Sequence, residues 1–337
     1  MRIDHPVEPQ DLQSNMLSFL KSAYINYDLQ KDPWVLGLLQ QRQQGYDVTK
    51  KIHKVFVGGK TYCRDQLRSL ALKAEAMSQE LGMSIMDWYL RGCITQFSKM
   101  VHMSDSQLLD LSADEKRHIL KILGTLPSIE LNSHSIPTIS LDHMSQKLQL
   151  LINFLVAEAK DDPEFTCLVF VEQRVWVACI AEVLAIHPET KDLLRVGTFV
   201  GESENSKRKA NIATIAEPRN QQATLDNFRA GTLNLILATS VLEEGIDVSS
   251  CHLVVCFESP KNLKSFVQRR GRARKEESKY VIFVPQAGRG RDPESWQLLE
   301  EGMKAAYLDD MRQVKLATEK EQQSETGHRH FEVKSTG

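Results

Sequence analysis

Apolar residues in the first third of the chain recur at intervals of three and four, the period of an amphipathic helix. One such stripe consists of Leu67, Leu70, Ala74, Met77 and Leu81. Gly82 follows it, where a helix would end, and Ser112 with Glu115 forms a capping box before a shorter helix. Only Lys54–Val57 looks like a strand. The pattern therefore predicts a mainly helical region.

From about residue 145 the pattern changes to short, continuous apolar runs separated by segments of helical spacing. The runs are Cys167–Val171, Arg195–Val200, Leu233–Leu237, Leu253–Phe257 and Tyr280–Val284. Strands without polar alternation are buried on both faces, as in a parallel sheet that helices cover on each side. The sequence therefore predicts an α/β fold built on a doubly wound parallel sheet.

These two patterns divide the chain into three predicted regions. Residues 1–140 form an α-helical domain, residues 141–290 form the α/β lobe, and residues 291–337 form a helical arm with a polar tail. The arm is predicted from the helical spacing of Trp296, Leu299, Met303 and Ala306.

Composition excludes several classes of protein. The formal charge is −2 and 42% of residues are hydrophobic, which is typical of a globular protein without global basicity. The six cysteines have no C-x-x-C spacing, which favours free thiols over a zinc or disulfide site. No apolar run is long enough for a membrane span, so we expect a soluble intracellular protein, cytoplasmic or nuclear, with no bound metal and no membrane partner.

Two segments imitate nucleotide-binding motifs. Gly59–Thr61 resembles the end of a phosphate-binding loop, but Lys54 stands where the first glycine is required, so a turn into a helix is the better interpretation. Asp114 and Glu115 resemble a magnesium-binding acidic box, but His118 comes one position late and the pair opens a helix. Neither motif is therefore expected to hold ATP.

Two polar segments that follow apolar runs carry the candidate chemistry. Ala238–Asp247 follows one predicted strand, and Gln268–Arg274 lies between the next two, so both are expected to reach the carboxyl edge of the sheet, where such folds bind ligands. Guanidinium groups suit a polyphosphate. Alternatively, the arginines form a nuclear-import patch or a solvated face. Glu243 and Glu244 could form a paired-carboxylate site, but a solvated pair is the better interpretation.

The amino-acid sequences of these two segments resemble motifs five and six of superfamily 2 helicases. Dicer, the fungal Dicer-like proteins and the innate-immune RNA sensors have similar sequences at these positions. The matching runs here are A-T-S-V-x-E-E-G-I-D-V, V-x-C-F-x-x-P and Q-R-R-G-R-A-R. Leu168–Arg174 resembles motif four, and Thr198–Gly201 resembles an RNA-facing motif. The resemblance covers about residues 145 to 310, and Glu80–Gly82 and Trp88–Tyr89 extend it to the group's helical insertion.

The resemblance implies a RecA-like second motor lobe, preceded by the helical insertion and followed by a helical arm. ATP with Mg²⁺ would bind between this lobe and a first lobe, which would hold the Mg²⁺. Gly245, Asp247 and Gln268 would bind the nucleotide, and Arg272 and Arg274 would act as arginine fingers. Double-stranded RNA would contact Arg174, Gly201, Thr239, Lys207, Arg208 and Lys209. For Thr239 a helix cap is the alternative, and for Lys207–Lys209 a solvated loop.

Three functions stay open at this point. The first is half of an ATP-dependent RNA helicase of Dicer type, in RNA silencing and antiviral defence, whose missing first lobe makes this chain inactive alone. The second is a fork-remodelling DNA translocase of Fanconi-anaemia type, but those proteins typically read G-R-T-G-R where Gly271–Arg274 reads G-R-A-R. The third is a non-catalytic RNA-binding module. The chain is expected to be a fragment or a truncated product.

Overall fold

A computed structural model describes most of the chain. The described residues are 1–7, 14–41, 46–102, 111–126, 138–200, 211–214, 222–243, 251–273, 277–286, 294–309 and 311–312. Of the predicted site residues, Arg174, Thr239, Gln268 and Arg272 lie within these ranges, and Gly201, Lys207, Arg208, Lys209, Gly245, Asp247 and Arg274 lie outside them.

The described strands form one parallel sheet. They are β1 (Arg2–His5), β2 (Cys167–Phe170), β3 (Val196–Phe199), β4 (Leu235–Ala238), β5 (Leu253–Cys256) and β6 (Lys279–Pro285). Their order is β1-β6-β5-β2-β4-β3, and every neighbouring pair is parallel. The chain crosses over β2 between β4 and β5, so the sheet is wound in both directions. The prediction of a doubly wound parallel sheet is confirmed.

Helices occupy most of the remaining described chain. They are α1 (Asn15–Ile25), α2 (Pro33–Gln40), α3 (Tyr46–Gly58), α4 (Tyr62–Glu80), α5 (Met83–His102), α6 (Ala113–Leu123), α7 (Gln146–Asp161), α8 (Arg174–Ile186), α9 (Gln222–Arg229) and α10 (Leu263–Arg270). A C-terminal helix covers residues 294–309. No helix among these described residues is both long and apolar enough to cross a membrane.

Alternate residues of the central strands enter two separate hydrophobic clusters. Val169, Leu237 and Val255 pack with α4, α5, α7 and α8 on one face, while Phe170 and Cys256 pack with α9, α10 and the C-terminal helix on the other. Side chains alternate between the faces of a strand, so an uninterrupted apolar run supplies both clusters. The continuous apolar runs in the sequence therefore correspond to strands of a sheet that helices cover on both faces.

The first strand was not predicted from the sequence. β1 pairs with β6 in the register Ile3↔Phe283, and the amino group of Met1 donates to the carbonyl of Tyr280 at 2.7 Å. Only His5 of this strand is buried, so a hydrophobic pattern could not reveal it. The helical region therefore lies, along the chain, between one strand of the sheet and the others. The division into three domains stays a prediction.

The turn between α4 and α5 lies against the beginning of α7. Gly82 has φ +103°, and a Cβ built there would come within 2.3 Å of the carbonyl oxygen of His143. The amide of Ser145, the N-cap of α7, donates to the carbonyl of Leu81 at 3.0 Å. Glycine is required here because the backbone of one helical region touches that of the next.

Further contacts join the helical region to the lobe. The hydroxyl of Tyr89 donates to the carbonyl of Ala213 at 2.8 Å, and the amide of Ile212 donates to Gln66 Oε1 at 2.9 Å. Buried residues of α4 and α5 belong to the same hydrophobic cluster as those of α7 and α8. Because burial of apolar surface is the main stabilising term, the two parts stabilise each other.

Two local predictions around α3 had opposite outcomes. Lys54–Val57, expected to be extended, lies inside α3, where Val55 is buried and Val57 is 74% exposed. One buried residue in four fits a helix on the surface better than a strand. The turn interpretation of Gly59–Thr61 is confirmed, because Gly59 has φ +58° and Thr61 caps α4 by accepting from the amide of Arg64. The capping box of Ser112 and Glu115 is present as predicted.

Candidate functional site

The described part of the arginine run, Gln268–Ala273, lies on α10 and on the turn that follows it. Asn262 caps α10 by accepting from the amide of Ser265 at 2.8 Å, and Gly271 ends it. The helix starts beyond the carboxyl end of β5 and returns, so that the carbonyl of Arg272 accepts from the amide of Cys251, before β5, at 3.4 Å. The backbone of Arg272 therefore lies towards the amino end of β5. The expectation that this turn lies at the carboxyl edge was wrong, because the crossover helix runs antiparallel to the strands.

The other polar segment begins where β4 ends. The amide of Thr239 donates to the carbonyl of Phe199 at 3.1 Å, which extends the strand pairing by one residue. Thr239 then starts a 3₁₀ turn over Ser240–Leu242, but its side chain makes no capping hydrogen bond and is buried. The alternative of Thr239 as a helix cap is therefore not supported by its contacts, and its role towards RNA stays a prediction.

Glu243, which follows the 3₁₀ turn, is buried rather than solvated. Its Oε1 accepts from Nε of Arg269 at 2.7 Å, and its Oε2 accepts from the hydroxyl of Ser265 at 2.9 Å. Arg269 Nη2 also donates to Oε1 of Glu172, just after β2, at 3.1 Å. Lys261 forms an ion pair with the second oxygen of Glu172. The interpretation of Glu243 as half of a solvated pair was wrong, because α10 covers its carboxylate.

Arg272 connects the two candidate segments directly. Its Nη2 donates to the backbone carbonyl of Glu243 at 3.0 Å, and its side chain is half-buried. The expected meeting of the two segments is thus confirmed for this pair, although the route of the chain differs. Arg272 is therefore anchored at a residue that comes two positions before Gly245 and four before Asp247, the predicted nucleotide-binding residues.

The remaining described candidates lie on two helices. Gln268 is on α10, and its Oε1 is buried without a hydrogen-bond partner among the described residues. This oxygen can still accept a hydrogen bond, which is compatible with a residue that is expected to respond to a bound nucleotide. Arg174 is the first residue of α8, beyond the carboxyl end of β2, and is half-buried. Arg174 therefore lies on a different helix from Gln268.

Comparison with known proteins identifies the family. Residues 146–277 match the family described as the helicase conserved C-terminal domain. The chain is 91% identical over 337 residues to Dicer-like protein 2 of Phaeosphaeria nodorum, covering 100% of this chain and 24% of that protein. It is 38% identical over 322 residues to Dicer-like protein 2 of Aspergillus terreus, covering 95% of this chain and 23% of that protein. The chain belongs to the fungal Dicer-like family.

The chain spans about a quarter of the length of the curated Dicer-like relatives that it matches. Among solved structures, the helicase domain of Pyrococcus furiosus Hef aligns over 86% of this chain and 55% of its own, with 18% identity and a TM-score of 0.39. The E. coli DEAD-box protein SrmB aligns over 41% of this chain and 70% of its own, with 22% identity and a TM-score of 0.31. Residues 146–277, which match the helicase conserved C-terminal domain, contain strands β2 to β5 of the parallel sheet.

The C-terminal helix of the Dicer-like chain is held by the motif-six helix. Arg270 forms two hydrogen-bonded contacts with Glu300, at 2.7 and 2.9 Å, and Trp296 stacks on Phe266 with ring centres 5.7 Å apart. Lys304 adds an ion pair to Glu300 at 2.7 Å. The helical arm was predicted from spacing alone, and its attachment to α10 was not.

Glu172, Glu243 and Arg269 are polar residues of the site that sequence reasoning left without a role. The sequence did contain a signal for them. Glu172 and Glu243 each follow a buried strand within a few residues, and Arg269 lies on the helix between β5 and β6. Burial by itself lowers the pKa of the Arg269 guanidinium, but Cys256, Glu243 and Glu172 more than offset this, and its pKa is raised. Arg269 is therefore a buried, fully charged group.

Glu258, close to this network, should make folding stability depend on pH. Burial raises its pKa to about 7; the carboxylates of Glu80 and Glu172 add to the rise, and Lys147 and the backbone amide of Glu172 oppose it. Its Oε2 accepts from the amide of Glu172 at 3.1 Å. The folded state holds this proton more tightly than the unfolded state, so the free energy of unfolding should fall as pH rises from about 4.5 to about 7.

Glu258→Gln should therefore stabilise the chain at pH 8, by on the order of 1–3 kcal/mol, and change little at pH 5. Urea unfolding at both pH values measures this difference. Glu301→Gln, at an exposed position on the C-terminal helix, is the matched control and should behave as the unmodified chain. A stability gain for Glu258→Gln of equal size at both pH values would show that the effect is not titration.

Proposed function

We propose that this chain is the second-lobe half of an ATP-dependent motor that moves on double-stranded RNA, within a Dicer-like protein of RNA silencing and antiviral defence. The observation that carries the proposal is the contact of Arg272 with the carbonyl of Glu243, which joins motif six to the segment that carries Gly245 and Asp247. A guanidinium held beside a nucleotide-binding segment is the arrangement that stabilises a transferring phosphoryl group.

In this proposal ATP with Mg²⁺ binds between this lobe and a first lobe that holds the Mg²⁺. Asp247 accepts a hydrogen bond from the ribose, Gln268 responds to the nucleotide, and Arg272 and Arg274 face the terminal phosphate. No cluster of three or more metal-ligating side chains occurs among the residues that the structure describes. When bound, Mg²⁺ would neutralise phosphate charge. The chain alone is then expected to bind ATP weakly and not to hydrolyse it.

The RNA part of the proposal rests on backbone contacts, because A-form duplexes are recognised by shape and phosphates. Arg174 and Thr239 lie just beyond the carboxyl ends of β2 and β4, which are neighbours in the sheet. Their positions at one edge suit a duplex that crosses this edge. Binding should accordingly be independent of RNA sequence and sensitive to salt.

This expectation can be measured on the chain by itself. Fluorescence anisotropy with duplex RNA should give a dissociation constant whose logarithm rises linearly with the logarithm of salt concentration, by about 0.9 per phosphate contact. Replacing Lys207, Arg208 and Lys209 together by alanine should flatten that slope. Replacing Lys50, Lys51 and Lys54 of α3, which are exposed, is the matched control and should leave it unchanged.

Two outcomes would contradict the RNA part. Equal loss of slope in both triple variants would mean that only total charge matters, and an unchanged slope would return Lys207–Lys209 to a solvated loop. Tighter binding of duplex DNA than of duplex RNA would favour the DNA-translocase alternative. RNA binding without ATP hydrolysis, even when a first lobe is present, would favour the non-catalytic module.

A further inference from the structure

We propose that Arg269 is a positioning residue, which holds Glu243 in place and through it the guanidinium of Arg272. The inference rests on the proposed function, because it assigns Arg269 an effect on the step that Arg272 assists. Arg269 itself is 1% exposed, so it acts on the reaction only through its neighbours.

The guanidinium of Arg269 joins three elements of the lobe. Its Nε donates to Glu243, after β4, at 2.7 Å, and its Nη2 donates to Glu172, after β2, at 3.1 Å. Its central carbon lies 5.1 Å from the centre of the Phe170 ring. The planar fork of an arginine can satisfy two carboxylates at fixed angles, which a lysine cannot do.

Glu243 has no freedom to move while these contacts persist. Both of its carboxylate oxygens are occupied, one by Arg269 and the other by the hydroxyl of Ser265, and its side chain is 7% exposed. Loss of Arg269 would leave a buried carboxylate without its countercharge. Glu243 would then turn towards water, and its backbone carbonyl would move with it.

Arg272 is tied to this network at two points. Its backbone amide donates to the carbonyl of Arg269 at 3.1 Å, and its Nη2 donates to the carbonyl of Glu243 at 3.0 Å. The direction of its side chain therefore depends on where Glu243 lies. An arginine finger acts mainly in the transition state, and small displacements of such a group reduce turnover strongly. Arg269 should accordingly affect kcat more than nucleotide or RNA affinity.

The experiment uses Phaeosphaeria Dicer-like protein 2 in which this chain replaces the matching, 91% identical segment; we name it the exchange protein. RNA-stimulated ATP hydrolysis, KM for ATP and RNA affinity are measured for Arg269→Gln, Arg272→Ala and the double variant. We expect Arg269→Gln to lower kcat at least about tenfold, with KM and RNA affinity within about threefold. Arg269→Lys, which keeps the charge without the fork, should recover only part of kcat.

The double variant separates positioning from an independent effect. If Arg269 acts through Arg272, adding Arg269→Gln to Arg272→Ala should lower kcat no further, because the contact it supports is already gone. A further loss of kcat, multiplied onto that of Arg272→Ala, would overturn the inference. So would a change confined to thermal stability.

A matched control removes general destabilisation as an explanation. Lys147, 4% exposed, forms an ion pair with Glu80 where α7 meets α4, and its ammonium lies 4.1 Å from the centre of the Phe257 ring. Glu80→Gln weakens this buried pair and should lower the melting temperature while leaving kcat within about twofold. If Glu80→Gln lowers kcat as much as Arg269→Gln does, stability alone explains both and the inference fails.

Failure of the inference and failure of the proposed function give different results. An exchange protein that hydrolyses ATP, loses activity with Arg272→Ala and keeps it with Arg269→Gln overturns only the inference. An exchange protein whose hydrolysis is unaffected by Arg272→Ala overturns the nucleotide part of the proposed function, and the inference with it. Should Arg269→Gln not fold, Glu172→Gln keeps the arginine and removes one of its partners, and kcat should again fall with KM unchanged.

Discussion

Alanine at Arg272 should remove most RNA-stimulated ATP hydrolysis in the exchange protein, by about 10³-fold or more, while RNA affinity stays within about twofold. The reason is that an arginine finger contributes mainly in the transition state, whereas ground-state contacts to nucleotide and RNA are expected from other residues. Arg274→Ala should have the same effect by its place in the motif. Arg272→Lys should not restore activity, since a point charge lacks the planar fork.

Turnover and the RNA dissociation constant are measured side by side. Arg195→Ala is the control, because Arg195 belongs to the same lobe and its side chain donates to the carbonyls of Thr232 and Gly231. It should leave both quantities unchanged. The chain alone, without the remainder of the exchange protein, should show no hydrolysis above background. If RNA binding collapses together with turnover, Arg272 belongs to the RNA surface and its assignment to the nucleotide is wrong.

Gly82→Ala should destabilise the chain by about 3 kcal/mol or more. An alanine here must adopt a left-handed backbone conformation, and its Cβ would meet backbone atoms of His143 and Ser145 at 2.3 and 2.5 Å. These are backbone atoms and cannot rotate away. The turn after α4 would separate from α7, and the contact between the helical region and the lobe would loosen.

Gly231→Ala is the matched control for this prediction. Gly231 has φ +74° but open space where its Cβ would stand, so it measures the backbone cost alone, about 1–2 kcal/mol. The difference between the two variants in urea unfolding reports the clash at Gly82. Equal losses of stability would show that the turn can move away from α7 without cost.

The strands and most helices could be predicted because their signal is local. A continuous apolar run such as Leu253–Phe257 indicates directly that the strand is buried on both faces. The Ser112 capping box likewise indicates where α6 begins. β1 carried no such signal, since its pairing with β6 joins residues at opposite ends of the chain. The prediction of a strand at Lys54–Val57 was wrong because, over so few residues, β-branched side chains on an exposed helix give the same pattern as a strand.

The candidate site was predictable in its members and not in its contacts. Arg272 and Glu243 do meet, as the pairing of the two motifs suggested. The arginine run, however, is neither wholly solvated nor wholly catalytic: Arg269 is buried against two carboxylates and Arg270 holds Glu300. Which arginine is buried depends on the angle at which α10 crosses the sheet, and neighbouring identical residues carry no information about that angle.

The pairing of β1 with β6 has a practical consequence for anyone who shortens this chain. A fragment that starts at residue 141, where the sequence suggests a domain boundary, would lack residues 2–5 and leave one side of β6 without its strand partner. β6 carries four consecutive buried residues, Val281–Val284, and such an apolar strand with free amides and carbonyls recruits other chains. Fragments cut there should associate edge to edge, and a soluble lobe should require the first few residues to be joined back to it.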